Sequence, residues 1–344
     1  MQRRRHIVIL LLLIGLSVSA VLVLYSFYFT RETRNGGFTR KVVIDALTDS
    51  LVTSLPFNSY YLAGAVGDTV FLGNDTAPTH LLLVTDSILV TRTIQAPDPL
   101  PRVTRILVDS PFVYMQDLER YSIHSGLLTS LKISRSLQSE FFSETISLSP
   151  VSIVQRRLSD KSPEYVLTKL TNEGQAFKYS LLEKQIDGLF CTDGMLRYDK
   201  VSRKLIYVYF YRNQFICTDT SLNLLFRHHT IDTVTKANIE VAKIASDDAV
   251  ILSSPPFIVN RRSAIFDNRL YINSNILSDL EDQRNLDNNC VIDVYDLAES
   301  GSYLYSFYLP DFLGHKMKYF MIYQDQLLSI HDHYLIRYRL RIRT

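Results

Sequence analysis

The feature that most constrains this chain is a phrase that keeps returning: a short apolar run, a turn built around Asp, and a second apolar run. It reads Leu62–Val66, Gly67-Asp68-Thr69, Val70–Leu72, and again Ile106–Val108, Asp109-Ser110-Pro111, Phe112–Met115. It returns as Ala264–Phe266, Asp267-Asn268-Arg269, Leu270–Ile272, and as Tyr319–Tyr323, Gln324-Asp325-Gln326, Leu327-Leu328. Self-similarity at a period of tens of residues marks a repeat architecture. The units are strand–turn–strand. The 344 residues hold 21 Tyr and 18 Phe against 12 Gly, and aromatic residues fit pleated surfaces. Repeated antiparallel hairpins of this kind predict a β-propeller. That architecture hosts many unrelated activities, so it does not by itself select a function.

Ahead of the repeats, Met1-Gln2-Arg3-Arg4-Arg5-His6 precedes an uncharged stretch from Ile7 to Phe29. As a helix it spans roughly 34 Å, enough for a bilayer core of about 30 Å. Tyr25, Phe27, Tyr28 and Phe29 stand where an interfacial aromatic belt would lie. A cleaved signal peptide needs a shorter apolar region and a small-residue site, and Val21–Leu24 runs on past Val18-Ser19-Ala20. The expected division is a cytoplasmic stretch 1–6, an uncleaved transmembrane anchor 7–29, a flexible linker 30–40, and a propeller 41–344. The arginines before the span favour a cytoplasmic N-terminus and a periplasmic or other extracytoplasmic propeller.

Taking the Asp turn as the link between strands a and b of a blade sets a register. Unit one runs from Tyr60 to Asp98, with its c–d turn at Thr85–Ser87. Unit two runs from Arg102 to Ser139, with its c–d turn at His124-Ser125-Gly126. Unit three spans Glu140–Asp187, unit four Gly188–Asp232 and unit five Phe257–Asp311. The sixth offers Met317–Tyr323, Leu327–Ile330 and Tyr334–Leu340. Its missing fourth strand is expected from Arg40–Leu47, closing an all-β, six-bladed ring and removing two sheet edges. About 300 residues over six units gives a period near 50, within the range of blades. Leu205, Tyr207 and Tyr209 alternate with Ile206, Val208 and Phe210, apolar on both faces, as strands buried between neighbouring blades should be. Thr235–Asp248 reads as a helical turn or extended connection, and Asn273–Asn289 as a polar loop. Arg337–Arg343 alternates with apolar residues, as in a half-exposed final strand. These phrases, their spacing and the shared closure resemble the six-bladed TolB-like propeller superfamily, in forms with an N-terminal anchor typical of the Bacteroidetes envelope. The resemblance is architectural and carries no catalytic motif.

Net charge is +2, which provides no field for nucleic acid. No nucleophile elbow, phosphate-binding glycine loop or structural-metal spacing occurs, so no cofactor is expected. Loops carry function more often than the scaffold beneath them. On the face formed by b–c turns and d–a connections, the candidate binding residues are Arg212, Asn213, Asn273, Asn275, His331 and His333. His331-Asp332-His333 is also the candidate metal triplet, because imidazoles two apart on a strand share a face; polar turn residues are the simpler reading. Cys191 and Cys217, expected on strands one apart within a blade, are a candidate disulfide, with three small buried residues (Cys290 included) the preferred alternative. The expected function is a membrane-anchored module that binds or scaffolds a protein or peptide, without a catalytic site. The alternative is a metal-dependent propeller hydrolase, lactonase or lyase with its site at the channel mouth.

Overall fold

The computed structural model describes residues 2–32, 36–86, 88–96, 103–244 and 249–341. A helix, α1 (Gln2–Glu32), precedes β1 (Leu47–Ser54). Six four-stranded antiparallel sheets follow in a ring. Blade 1 is β2 (Tyr60–Val66), β3 (Thr69–Asn74), β4 (His80–Thr85) and β5 (Ile88–Thr93). Blade 2 is β6 (Thr104–Asp109), β7 (Phe112–Asp117), β8 (Ser122–Leu127) and β9 (Lys132–Gln138). Blade 3 is β10 (Phe142–Ser149), β11 (Ser152–Leu158), β12 (Tyr165–Thr171) and β13 (Gly174–Lys178). Blade 4 is β14 (Gly194–Asp199), β15 (Lys204–Tyr209), β16 (Gln214–Asp219) and β17 (Leu224–His229). A two-stranded ribbon, β18 (Val241–Ile244) and β19 (Ala249–Leu252), lies between blades 4 and 5. Blade 5 is β20 (Asn260–Phe266), β21 (Arg269–Ser274), β22 (Asn289–Asp296) and β23 (Ser302–Pro310), with a helical turn α2 (Gln283–Asn288) in its b–c loop. Blade 6 takes β24 (Met317–Tyr323), β25 (Gln326–His331) and β26 (Tyr334–Leu340) from the end of the chain, and β1 as its fourth strand.

The recurring Asp turns are the a–b turns of blades 1, 2, 5 and 6. In blades 1, 5 and 6 their residue choice follows from backbone geometry: Gly67, Asp267, Asn268 and Gln324 all have positive φ. Asp267-Asn268 has two such residues in a row, which a tight hairpin turn requires and which Asp and Asn tolerate. The alternation in blade 4 is also realised. Leu205, Tyr207 and Tyr209 pack with Val154 and Leu167 of blade 3. Ile206 and Val208 pack with Leu270 and Ile272 of blade 5. The core is therefore a set of six interblade layers rather than one central mass.

Four local expectations change. The strand that pairs with β26 is Leu47–Ser54, not Arg40–Leu47; Leu47 faces Leu340 and Ser54 faces Tyr334. The segment before it goes elsewhere: Val42 bridges Ser306 of blade 5. Its outer position explains the misreading, because β1 is largely exposed and so shows little apolar alternation. His124–Gly126 lies inside β8, and the c–d turn of blade 2 comes at 128–131. Serines on both sides hydrogen-bond the His124 ring, at 2.9 Å from Ser122 and 2.7 Å from Ser136, so a polar triplet sits within the sheet. Part of Thr235–Asp248 is β18, with 245–248 outside the described residues. Cys191 lies in the loop before β14 rather than on a strand.

Residues 36–42 are not a free linker, and 33–35 lie outside the described residues. The Gly37 amide donates to both carboxylate oxygens of Asp279, at 2.9 and 3.1 Å. Arg40 is buried, its Nε 2.8 Å from Asp293 and its Nη1 2.5 Å from Glu281. Its remaining donors reach the Ile276 carbonyl and the Ser274 hydroxyl. The carboxylates of the 273–289 loop thus hold the chain's own N-terminal segment against blade 5.

Candidate functional site

The b–c turns and d–a connections form one face, but several residues expected there face inward. Arg212 is buried; its Nη2 donates to the Glu183 carbonyl at 2.7 Å and its guanidinium lies 3.7 Å from the Tyr209 ring centre. Asn213 is buried and donates to the Asp232 carbonyl. Both residues bind the turn to neighbouring backbone. His331 ends β25 fully buried, with Nδ1 on the His315 carbonyl at 3.0 Å and Nε2 on Ser329 at 3.1 Å. His333 stands in the turn, bonded to Asp332 at 2.6 Å and packed on Tyr334 at 4.1 Å between ring centres. The chain turns at Asp332, whose φ is 50°, so the strand period that would align the two imidazoles is broken. Among the described residues no group of three or more His, Cys, Asp and Glu side chains is placed to hold a metal ion. Cys191, Cys217 and Cys290 are free, buried thiols. Cys217 packs in the layer between blades 4 and 5, whereas Cys191 packs beside Tyr211 and Ile239 and donates to the Asp187 carbonyl. A Cys191–Cys217 bond is therefore not formed.

Asn273 and Asn275 border an open groove of about 720 Å³ that also takes in Arg261, Arg262 and Lys316. Asn273 donates to the Val291 carbonyl at 3.1 Å and Asn275 to the Ile258 carbonyl at 2.8 Å. Arg262 of this groove is also one of a set of cations on the innermost strands that the sequence does not single out. Arg105, Arg197, Arg262 and Lys318 occupy the second to fourth positions of β6, β14, β20 and β24. Inner strands start at this face, so all four stand in the mouth of the channel.

Tyr319, on β24, is the common neighbour of Arg105, Arg262 and Lys318. The Arg105 and Arg262 guanidinium carbons each lie 5.5 Å from its ring centre, and the Lys318 ammonium lies 5.4 Å away. Arg105 also covers Tyr61 at 4.2 Å and donates to the Tyr319 hydroxyl at 3.3 Å. Blades 2 and 6 are not adjacent, so this contact passes inside the inner strand of blade 1 and places Tyr319 at the axis. Cations near aromatic faces gain on the order of 0.5–1 kcal/mol when exposed and more when dry.

Three of the cations are fixed by backbone rather than by carboxylates. Arg197 Nε donates to the Ser263 carbonyl at 2.8 Å, and Arg262 Nε to the Lys318 carbonyl at 3.2 Å. Lys318 reaches the Asn58 carbonyl at 3.0 Å. Each bond crosses from one blade to the next. Among the described residues Arg197, Arg262 and Lys318 form no ion pair, and Arg105 pairs only with the half-exposed Asp75 at 3.4 Å. Burial pushes the Arg197 pKa down, and nearby Arg262 adds to this against the pull of Glu144. The Glu144 carboxyl is raised, first by burial, with Arg197 opposing. Positive charge is thus crowded at the mouth, with Arg262 exposed and Arg105, Arg197 and Lys318 half-buried, an arrangement that favours an incoming anion. The only trace of this in the sequence is a cation near the start of each of four apolar inner strands, as in Thr104-Arg105-Ile106 and Met317-Lys318-Tyr319.

No family model matches the chain, and no curated protein matches it in sequence. Its fold is similar to that of a DUF4221 family member from Bacteroides vulgatus, at 12% identity and a TM-score of 0.54, over 89% of this chain and 99% of that one. It is also similar to a protein from Bacteroides fragilis designated as exported, at 10% identity and a TM-score of 0.53, over 90% and 99% of the two chains. At this identity the likeness is one of fold. The chain is a six-bladed β-propeller preceded by a helix whose Arg5–Ser26 stretch is long and apolar enough to cross a membrane.

Proposed function

We propose that this protein is a membrane-anchored, extracytoplasmic propeller of the bacterial envelope that binds an acidic segment of a protein or peptide partner at its channel mouth. The observation that carries the reading is the set of cations around Tyr319: Arg262 and Lys318, held by backbone carbonyls and without an ion pair among the described residues, and Arg105, paired only with the half-exposed Asp75. Guanidinium groups anchored through Nε keep Nη donors for a carboxylate. The apolar helix supports anchorage, and the exported designation of one fold neighbour agrees with a place outside the cytoplasm. The test is fluorescence anisotropy of labelled hexaglutamate and hexalysine with the full chain in detergent. Hexaglutamate should bind with an affinity that falls as salt rises. Arg262→Gln with Lys318→Gln should abolish that binding and leave the unfolding midpoint close to the parent. Equal binding of both peptides, or an unchanged affinity in the double variant, would refute the assignment.

A further inference from the structure

The face that carries the channel mouth also carries a ring of exposed apolar side chains. Every blade-to-blade connection contributes one: Phe57, Val103, Phe141, Ile186, Ile258 and Leu313, exposed by 39–69%. The b–c loop of blade 5 adds Leu280, the most exposed of the set at 82%. The opposite face exposes Ile44, Ile88, Leu127, Val201 and Leu224, without a member in every blade. Scattered apolar residues need no explanation, but a recurrent set on one rim marks an interaction surface.

The helix is tied to this same face. Asp279, next to Leu280, holds the Gly37 amide, its own amide donates to the Phe38 carbonyl, and Thr233 donates to the Gly36 carbonyl. Residues 33–36 connect the end of α1 at Glu32 to this point, and fully extended they reach at most about 18 Å. A membrane-spanning α1 therefore holds this face, and not the one opposite, toward the bilayer.

We infer that the channel-mouth face seats on the lipid surface, with Leu280 and the six connection residues entering the interfacial region. This rests on the anchored reading above. Asp282, Asp287 and Glu119 are exposed on the same face together with Arg120 and Arg284, so its exposed charge is of both signs and the contact proposed is carried by the apolar ring rather than by attraction to anionic lipid. The mouth then opens toward the membrane, and its acidic partner is a segment close to the bilayer.

The test uses the full chain in phosphatidylcholine vesicles containing doxyl-labelled lipid. The three native cysteines are buried, so an environment-sensitive fluorophore can be attached selectively at Leu280→Cys, Leu313→Cys or, as control, Val201→Cys. Side chains entering the interface by about 5–10 Å should be quenched roughly twofold or more, with Val201→Cys unaffected. Quenching should be the same with phosphatidylglycerol present. A Leu313→Asp change should weaken quenching at Leu280→Cys. Retention of the protein in alkaline carbonate reports the anchor separately. Release by carbonate overturns the anchor and the seating together. Retention with no quenching, equal quenching at Val201→Cys, or quenching confined to anionic vesicles overturns the seating alone.

Discussion

Arg40 binds two buried carboxylates of blade 5 while lying more than 230 residues from them in sequence. Removing one partner of such a cluster leaves uncompensated charge in a dry site, which costs about 3–5 kcal/mol. Arg40→Ala should lower the denaturant midpoint accordingly, and Arg40→Lys, with fewer and differently placed donors, should recover only part. Burial alone would raise the Glu281 carboxyl, but Arg40, the Tyr308 hydroxyl and Ser278 outweigh it and hold it below 4.5. Its stabilisation is complete above that value and is lost as acid protonates it. His331 and His124 are also displaced downward. Burial lowers both from 6.5, so the unfolded chain binds protons before the folded one does. Their contribution is present above 6.5 and declines as pH falls through that value toward the folded pKa. Urea midpoints should therefore drop between pH 7.5 and 5.5, and His331→Gln should flatten the slope. An unchanged midpoint across that interval would refute the neutral, buried assignment of both rings.

Individual blades are joined unequally. The layer between blades 2 and 3 rests on Tyr114, Ile123, Phe142 and Ile153, fewer buried residues than any other interblade layer holds, and a cavity of about 440 Å³ lies beside it. Native-state hydrogen exchange should find β9 and β10 opening before β15 and β21, since local opening follows the density of buried contacts. The neighbouring layer is tight enough to test in the other direction. A Cβ on Gly64 would fall 2.2 Å from the Val108 carbonyl oxygen of the adjacent inner strand. Gly64→Ala must push β2 from β6, at a cost of about 1–3 kcal/mol. A variant as stable as the parent would show that the two inner strands can separate freely.

The ring depends on its first described strand for the fourth member of its last sheet, and on the segment before it for the contact with blade 5. A chain starting at Pro56 loses both and should be insoluble, because Tyr334–Leu340 becomes an uncovered edge. One starting at Asp45 keeps β1 but loses Arg40, and should remain soluble with a lower melting temperature; soluble yield and size exclusion distinguish the two. Much of this architecture was legible in the residues themselves. Three of the four Asp turns contain left-handed backbone positions, and strands apolar on both faces have to lie between sheets. An uncharged run such as Ile7–Phe29 has few other uses than a long apolar helix. All of these are short-range properties, written within ten or twenty residues. The closing strand, the use of the 273–289 carboxylates and the cations around Tyr319 depend on which distant segments meet. Arg105, Arg197, Arg262 and Lys318 are ordinary strand cations in the one-dimensional chain. Only the ring brings them to one axis, because the identity of a neighbour two hundred residues away is set by closure of the whole and leaves no local pattern behind.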